Sequence, residues 1–260
     1  MGEPLIHPSA IVEDGAQIGR DVRVGPFCMV GPKVRLGDGV ELKSHVVVTG
    51  DTSVGEGTVI YPFASIGHDP QDLKFHGEQT RLDIGARNRI REYVTMQPGT
   101  EGGGGVTRVG DDGLFMANCH VAHDCQIGNH VILVNSVAVA GHCVVEDEVI
   151  VGGLSGIHQF VRLGRGAMIG ALSMVTADVL PYGLVQGPRA HLDGLNLIGL
   201  KRRGASRSEI VELRGMLARL HEGAMRDTAR EITSGENGAM AQEVLDFILG
   251  PSDRSFLKPL

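Results

Sequence analysis

Four histidines crowd the second half of this 260-residue sequence: His120, His123, His142 and His158. Imidazole changes charge closer to neutral pH than any other side chain, which suits it to general-base work. His123 is followed by Asp124, a carboxylate that could fix which ring nitrogen carries the proton, although consecutive side chains on a strand diverge. Gly141 stands eighteen residues after His123. With no side chain in the way, its backbone N–H could donate to a developing oxyanion. Solvent-tolerant surface residues are the plainer reading of any one of these histidines, and a poor reading of the whole cluster.

The elements that must hold them are announced by a period of six. Ile6, Val12, Ile18, Val24, Val30, Leu36, Leu42, Val48, Val54, Ile60 and Ile66 follow one another at that spacing, and four residues after each comes a small or branched one, such as Ala10, Cys28 or Val46. A fixed six-residue repeat is the mark of a stacked β-solenoid. Three hexads close a triangular coil, so residues eighteen apart stack and the strands run parallel. A β-sandwich would instead need hairpin signals every ~8–12 residues, and none interrupts the sixes. The period resumes at Ile84, Ile90 and Met96, then runs one residue out of phase from Val109 to Val175. Two loops therefore leave the coil. The first covers about residues 68–82, where Asp72 and Glu78 stand at aliphatic positions, and the second covers about 97–108, with the glycine run Gly102 to Gly105. Loops ejected from a rigid scaffold tend to carry binding groups. The same stacking brings His123, Gly141 and Gln159 onto one line, with His142 and His158 beside it.

A formal net charge of -7 and a pI near 5.9, with no basic stripe, argue against a nucleic-acid surface as the main business of the chain. Thirty-eight glycines and no tryptophan fit tight corners around a narrow core. No apolar run reaches the ~18 residues that span a membrane, and the amino terminus enters the repeat at once, without a signal peptide. Cys28, Cys125 and Cys143 occupy small inward positions; with Cys119 they read as buried thiols of a reducing cytosol. Metal ligation by Cys119 and Cys125 lacks the paired spacing of a zinc ribbon. After Pro181 the hexads end. Ser206 and Glu209 form a capping-box pattern ahead of Ile210, Leu213, Leu217 and Leu220, further helices are expected near 223–232 and 238–249, and the last is stopped by Gly250 and Pro251. These helices are expected to cap the open end of the solenoid.

Several stretches carry a resemblance that covers essentially the whole chain: His-Val-Ala-His-Asp-Cys at 120–125, Ala-Gly-His at 140–142, Ile-His-Gln-Phe at 157–160, Gln-Asp-Leu-Lys at 71–74 and Gly-Leu-Lys-Arg-Arg-Gly at 199–204. The chain resembles the UDP-N-acetylglucosamine O-acyltransferases of lipid A biosynthesis. The resemblance implies a mainly β protein, a left-handed parallel β-helix over residues 1–190 with a small α-helical unit over 191–260. It also implies a cytoplasmic homotrimer with active sites between subunits. The implied reaction moves a 3-hydroxyacyl chain from acyl carrier protein to the 3-position of UDP-N-acetylglucosamine, or of its 3-amino analogue, with no cofactor, no metal and no stable membrane insertion. In that reaction His123 is the base, Asp124 holds or polarises it, and the Gly141 N–H meets the oxyanion. Asp72 and Lys74 reach the sugar and nucleotide from one subunit toward its neighbour. His120, His142, His158 and Gln159 line the cleft, and Asn196, Arg202 and Arg203 bind the uridine diphosphate, where a guanidinium fork suits phosphate. Lys201, Arg202 and Arg203 could otherwise be a solvated patch or a landing site for the acidic carrier.

Three departures stand out. Gln97 and Pro98 replace a familiar His-Arg pair, Ile198 stands where an acidic nucleotide contact is expected, and Ala171 occupies a position that can limit acyl-chain length. The related N-acyltransferase of the same pathway carries an additional unit ahead of its helix, whereas here the hexads begin at Ile6. A γ-type carbonic anhydrase would use His120, His123 and His142 as zinc ligands. By residue count, Asp72 lies nearly three coils before His123, so the two are expected to meet only across a subunit interface.

Overall fold

The computed structural model describes residues 2–259. Each hexad makes a two-residue strand and a corner, and the strands sort into three parallel sheets that form the faces of a triangular prism. Face one runs from Leu5–Ile6 to Met168–Ile169, face two from Ile11–Val12 to Met174–Val175, and face three from Gln17–Ile18 to Arg162–Leu163. Along every ladder the second residue of the strand turns inward: Val24, Leu42, Ile60, Ile90, Phe115 and Leu133 are almost completely buried, while their predecessors face outward. This is the period-2 alternation of a strand repeated once per hexad.

The second inward position holds Val22, Cys28, Val34, Val40 and their equivalents, all buried. Cys119 belongs to this set as well, so all four cysteines are buried free thiols. Burial pushes the Cys119 thiol up to about 11, far from a metal-ready thiolate. Where the inward residue is polar it is satisfied by the corner backbone. Asn88 donates to the carbonyls of Gly85 and Gly110 and accepts from the N–H of Gly113, which removes the penalty of an unpaired buried amide.

Corners repeat a left-handed backbone residue, and many of these are not glycine. Asp124, His142 and Phe160, with φ of 60°, 63° and 65°, occupy that place on three successive coils at the corner joining face two to face three. A non-glycine residue there costs about 1–2 kcal/mol of backbone strain, tolerated because the coils above and below fix the corner.

Both ejected loops leave from this same corner. Between Ser65–Ile66 and Thr95–Met96 the register spacing lengthens to 30 residues, and between Thr95–Met96 and His120–Val121 to 25, against the usual 18. The excursions span 67–80 and 97–105, slightly shorter than the sequence suggests, because Arg81–Ile84 and Val106–Val109 are four-residue strands. The second excursion holds a 3-10 turn over Glu101–Gly103.

Past Val175 the chain forms an antiparallel hairpin, Gly183–Gln186 with His191–Leu195, whose first strand pairs with Met168–Ile169. Then come α1 (Leu197–Arg202), α2 (Arg207–His221), α3 (Met225–Thr233) and α4 (Ala239–Leu249). The Ser206–Glu209 capping box is formed in full, whereas α1 has no counterpart in the sequence reading. The last strand edges are paired by extended chain, with the helices packed alongside. The hairpin extends face one, and on face three Leu163 bridges Val179 while Asp178 bridges Phe256 in the carboxyl-terminal tail. Extended backbone satisfies the unpaired N–H and C=O groups of these edges directly. Asp178, fully buried, locks the tail by accepting from Arg162 N, Arg162 Nε and Ser252 Oγ at 2.9, 2.7 and 2.7 Å. α4 packs beside the last coils, with Glu243 paired to Arg165 Nε at 2.7 Å.

Candidate active site

The corner that releases both loops carries His123 one coil beyond the second loop and two beyond the first. His123 Nδ1 lies 2.8 Å from Asp124 Oδ2, which corresponds to an Nδ1–H donated to the carboxylate and leaves Nε2 with a free lone pair. The adjacent residues meet because Asp124 takes the left-handed corner conformation; two consecutive residues of a flat strand would diverge. Asp124 has a side chain only 1% exposed, and its carboxylate also receives the backbone N–H and the hydroxyl of Thr100 at 2.9 and 2.6 Å.

Gly141 is stacked on His123. A Cβ there would sit 2.6 Å from both Cε1 and Nε2 of the imidazole, so only glycine lets the ring occupy this place. No backbone carbonyl among the described residues accepts from the Gly141 N–H. His142 approaches from the next coil, with Nδ1 3.8 Å from Asp124 Oδ2. Burial pushes its pKa down, against the pull of Asp124 and with the help of His123. His120, one strand earlier on face two, lies 2.8 Å through Nδ1 from Thr95 Oγ1, and burial, then His123, pushes it down as well. Both are therefore suited to act as neutral imidazoles that donate or accept a hydrogen bond.

Asp72 corrects an expectation. Its Oδ2 is 3.9 Å from His123 Nε2 within a single chain, so no second subunit is needed to bring the two together. Residue counting overstated the separation because the excursions consume sequence without advancing along the axis. The Lys74 N–H, at 3.0 Å from Oδ1, holds the Asp72 carboxyl below its usual range. The loops are also tied to each other: the buried Gln97 accepts from the Gln71 N–H at 3.0 Å, giving the departure at this position a stapling contact.

Two cavities flank His123. One, of about 440 Å³, has a floor of small residues on face two, Ala138, Ala140 and Gly156, with His120 and His158 at its sides and Met174 at its far end. The other, of about 590 Å³, lies under the loops between Asp72, Lys74, Glu78, His142 and Phe160. His158 Nδ1 is 2.9 Å from the guanidinium of Arg254, which also donates to the Gln159 carbonyl at 2.7 Å. Gln159 itself faces solvent and lines neither cavity.

The remaining sequence candidates lie elsewhere on the prism. Asn196 is the N-cap of α1, accepting from Gly199 N and donating to Gly166 O at 3.1 Å. Arg203 pairs with Glu148 at 2.5 Å, Arg202 is exposed, and Ile198 is exposed on the same helix. All of these sit at the corner joining face three to face one. Ala171 lies at the corner between faces one and two and does not line the His123 cavity. Sequence reasoning missed Thr100, Phe160 as a ring partner, and Arg254. Only Phe160 had a signal, its place eighteen residues beyond His142.

His123, Asp124 and His142 bring possible ligand atoms within 4.8 Å of one another, but His120 stands outside this group, so the histidine triad of a zinc hydratase is not assembled. Both Asp124 oxygens already accept hydrogen bonds, which a cation would have to displace.

A six-residue repeat wound into a parallel prism, with a histidine–aspartate pair on one edge, defines a hexapeptide-repeat transferase. The repeat family described as bacterial transferase hexapeptide (six repeats) matches residues 15–50, and the family described as Udp N-acetylglucosamine O-acyltransferase, Domain 2, matches residues 178–257. A Paracoccus denitrificans protein named acyl-[acyl-carrier-protein]–UDP-N-acetylglucosamine O-acyltransferase is 78% identical over 201 residues, 77% of either chain. One of the same name from Rhizobium johnstonii is 50% identical over 257 residues, 98% of this chain and 94% of that one. The solved UDP-N-acetylglucosamine acyltransferase from Campylobacter jejuni superposes with a TM-score of 0.92 at 35% identity, over 98% of this chain and 100% of its own. The chain belongs to the acyl-[acyl-carrier-protein]–UDP-N-acetylglucosamine O-acyltransferase family, and its fold is the left-handed parallel β-helix.

Proposed function

We propose that this chain moves a 3-hydroxyacyl group from acyl carrier protein to the 3-hydroxyl of UDP-N-acetylglucosamine, the opening step of lipid A assembly. The observation that carries the reading is His123, tied through Nδ1 to Asp124 at 2.8 Å while Nε2 faces Asp72 at 3.9 Å beside Gly141. A sugar hydroxyl placed between His123 and Asp72 gives its proton to Nε2 as its oxygen attacks the thioester carbonyl. The carbonyl oxygen becomes an oxyanion that the Gly141 N–H can meet. Collapse breaks the C–S bond, and the leaving thiolate takes the proton back from His123. General-base help is worth ~10²–10⁴-fold and one oxyanion donor ~10²–10³-fold, with positioning supplying more. Lys74, exposed beside Asp72, suits the diphosphate.

A homotrimer is part of this reading. Asn196, Arg202 and Arg203 occupy a different edge of the prism from His123, so a nucleotide held by both sets needs a neighbouring copy. Phe27, Phe63, Tyr93, Leu154 and Leu172 also line one corner as exposed apolar residues, a surface suited to burial between subunits. We read the protein as cytoplasmic and divide it at residue 190, in the turn of the hairpin between Gly183–Gln186 and His191–Leu195, into coil and helical unit. No helix among the described residues is long and apolar enough to cross a membrane.

Purified protein given a series of 3-hydroxyacyl carrier proteins, with UDP-N-acetylglucosamine or its 3-amino analogue as acceptor, should yield the 3-acylated sugar nucleotide by mass spectrometry. Transfer to neither acceptor, or to the 3-amino analogue alone, would refute the proposal. Light scattering should show a trimer, and a fully active monomer would end that part of it.

A further inference from the structure

We propose that Thr100, in the second excursion, is a positioning residue that sets the tautomer and ring plane of His123 through Asp124. The inference rests on the reading of His123 as the base.

Asp124 could hold His123 loosely or firmly, and the difference lies in its other partners. The Thr100 N–H occupies Oδ1 at 2.9 Å and the Thr100 hydroxyl occupies Oδ2 at 2.6 Å, the same oxygen that accepts from His123 Nδ1 at 2.8 Å. The Asp124 backbone N–H is held in turn by Thr107 Oγ1 at 2.7 Å. With both oxygens engaged, the carboxylate cannot rotate without breaking bonds to Thr100 as well as to His123. One direction on Oδ2 remains for the imidazole, so the ring plane is fixed and the Nε2 lone pair stays aimed at the space beside Gly141. The hydroxyl contact is short, in the range of charge-assisted bonds to carboxylates. Side chains that orient a reacting group matter because misplacement by about 1 Å can cost ~10²-fold in rate.

The excursion is shaped for this contact. After Thr100 it makes the 3-10 turn over Glu101–Gly103 and returns over Asp124. At Gly103 a Cβ would collide with the Asp124 carboxylate, and at Gly99 it would come within 2.7 Å of Oδ1. These glycines let the main chain close on a charged group whose side chain is 1% exposed. The excursion is thus a clamp on Asp124 as well as a wall of the cavity under the loops.

The test compares Thr100→Val, which keeps the shape and the backbone N–H but loses the hydroxyl, with Thr100→Ser, which restores it. In the wild type, 15N-histidine NMR should show His123 with its proton on Nδ1. Thr100→Val should mix the two tautomers and lower kcat about ten- to a hundredfold with KM for both substrates within about twofold. Thr100→Ser should recover both properties. If Thr100→Val leaves tautomer and kcat unchanged while lowering Tm, the residue only satisfies a buried carboxylate and the proposal falls. It falls equally if Thr100→Ser is as impaired as Thr100→Val. The NMR readout needs no substrate, so failure of the wild type to transfer acyl groups would overturn the functional reading while the tautomer still decides the role of Thr100.

Discussion

His142 lies flat on Phe160, with ring centroids 4.4 Å apart and planes within 2°, and presents its edge to His123 at 4.9 Å. The three rings come from successive coils of one corner. His142 is held by stacking below and by its approach to Asp124 above, so it can face the cavity under the loops without a hydrogen bond of its own to the backbone. The geometry at this edge therefore depends on contacts between coils.

Replacing His123 by alanine should lower kcat by at least ~10²-fold and leave the coil intact, since the side chain projects from a corner and contributes nothing to the prism core. Steady-state kinetics with circular dichroism checks this. Activity within about tenfold of wild type would remove His123 from the role of base.

Gly141→Ala should be nearly as damaging by a different route. The new methyl would sit 2.6 Å from Cε1 and Nε2 of His123, so the imidazole must move or the corner must shift. A loss of ~10²-fold in kcat, with the His123 resonances displaced in the same NMR experiment, is expected. Wild-type spectra and rates in this variant would contradict the stacked geometry.

The pH dependence of stability follows from His120, His142 and His221, all pushed below the ordinary value of 6.5 chiefly by burial. In the folded state each resists protonation, whereas in the unfolded state each binds a proton near 6.5. The unfolded chain therefore gains protons first as pH falls, and stability drops from about pH 6.5 downward until the folded groups protonate too. Thermal melts at pH 7.5 and 5.5 should show this decline, and it should be smaller in His120→Gln. An identical decline in that variant would assign the effect to other groups.

Chain-length preference is predicted to respond to Ala171. Ala171→Gly should favour longer hydroxyacyl chains and Ala171→Met shorter ones, since a buried methylene is worth ~0.8 kcal/mol and a clash ~1–3 kcal/mol. Relative kcat/KM across an acyl series reads both shifts. Because Ala171 is absent from the His123 cavity of its own chain, the effect requires a neighbouring copy. An unchanged profile in both variants, together with a shift in Met174→Ala, would place the end of the groove at the residue that closes that cavity.

The prism could be read from sequence because its core is written in single residues: every aliphatic of the sixes from Ile6 to Val175 forms the last residue of a strand. The stacking of Gly141 on His123 was legible for the same reason, since an eighteen-residue spacing converts numbering into neighbourhood, whereas the contact between His123 and Asp124 depends on a left-handed corner that their adjacency in sequence does not announce. The excursions obey no such rule. Asp72 was placed too far from His123, and Thr100 was invisible, because loops with no repeat can fold back along the axis by any amount. The helix α1 was missed because six residues with Gly199 among them carry little periodicity. Asn196 and Arg203, expected at the nucleotide, are engaged with Gly166 and Glu148, pairings that depend on where the last coils meet α1.

The two excursions leave and rejoin the stack without disturbing it: Ser65–Ile66 sits on Thr95–Met96, and Thr95–Met96 on His120–Val121, in the same register as uninterrupted coils. Their length is consequently almost free of thermodynamic consequence for the prism, since each doubling of a loop adds only ~0.6 kcal/mol of closure cost. Insertions, deletions and wholesale exchange at this edge can reshape what the chain accepts while the aliphatic interior remains under its own separate constraint. The corner is in effect a built-in grafting point, where loops can be exchanged without re-laying the coils.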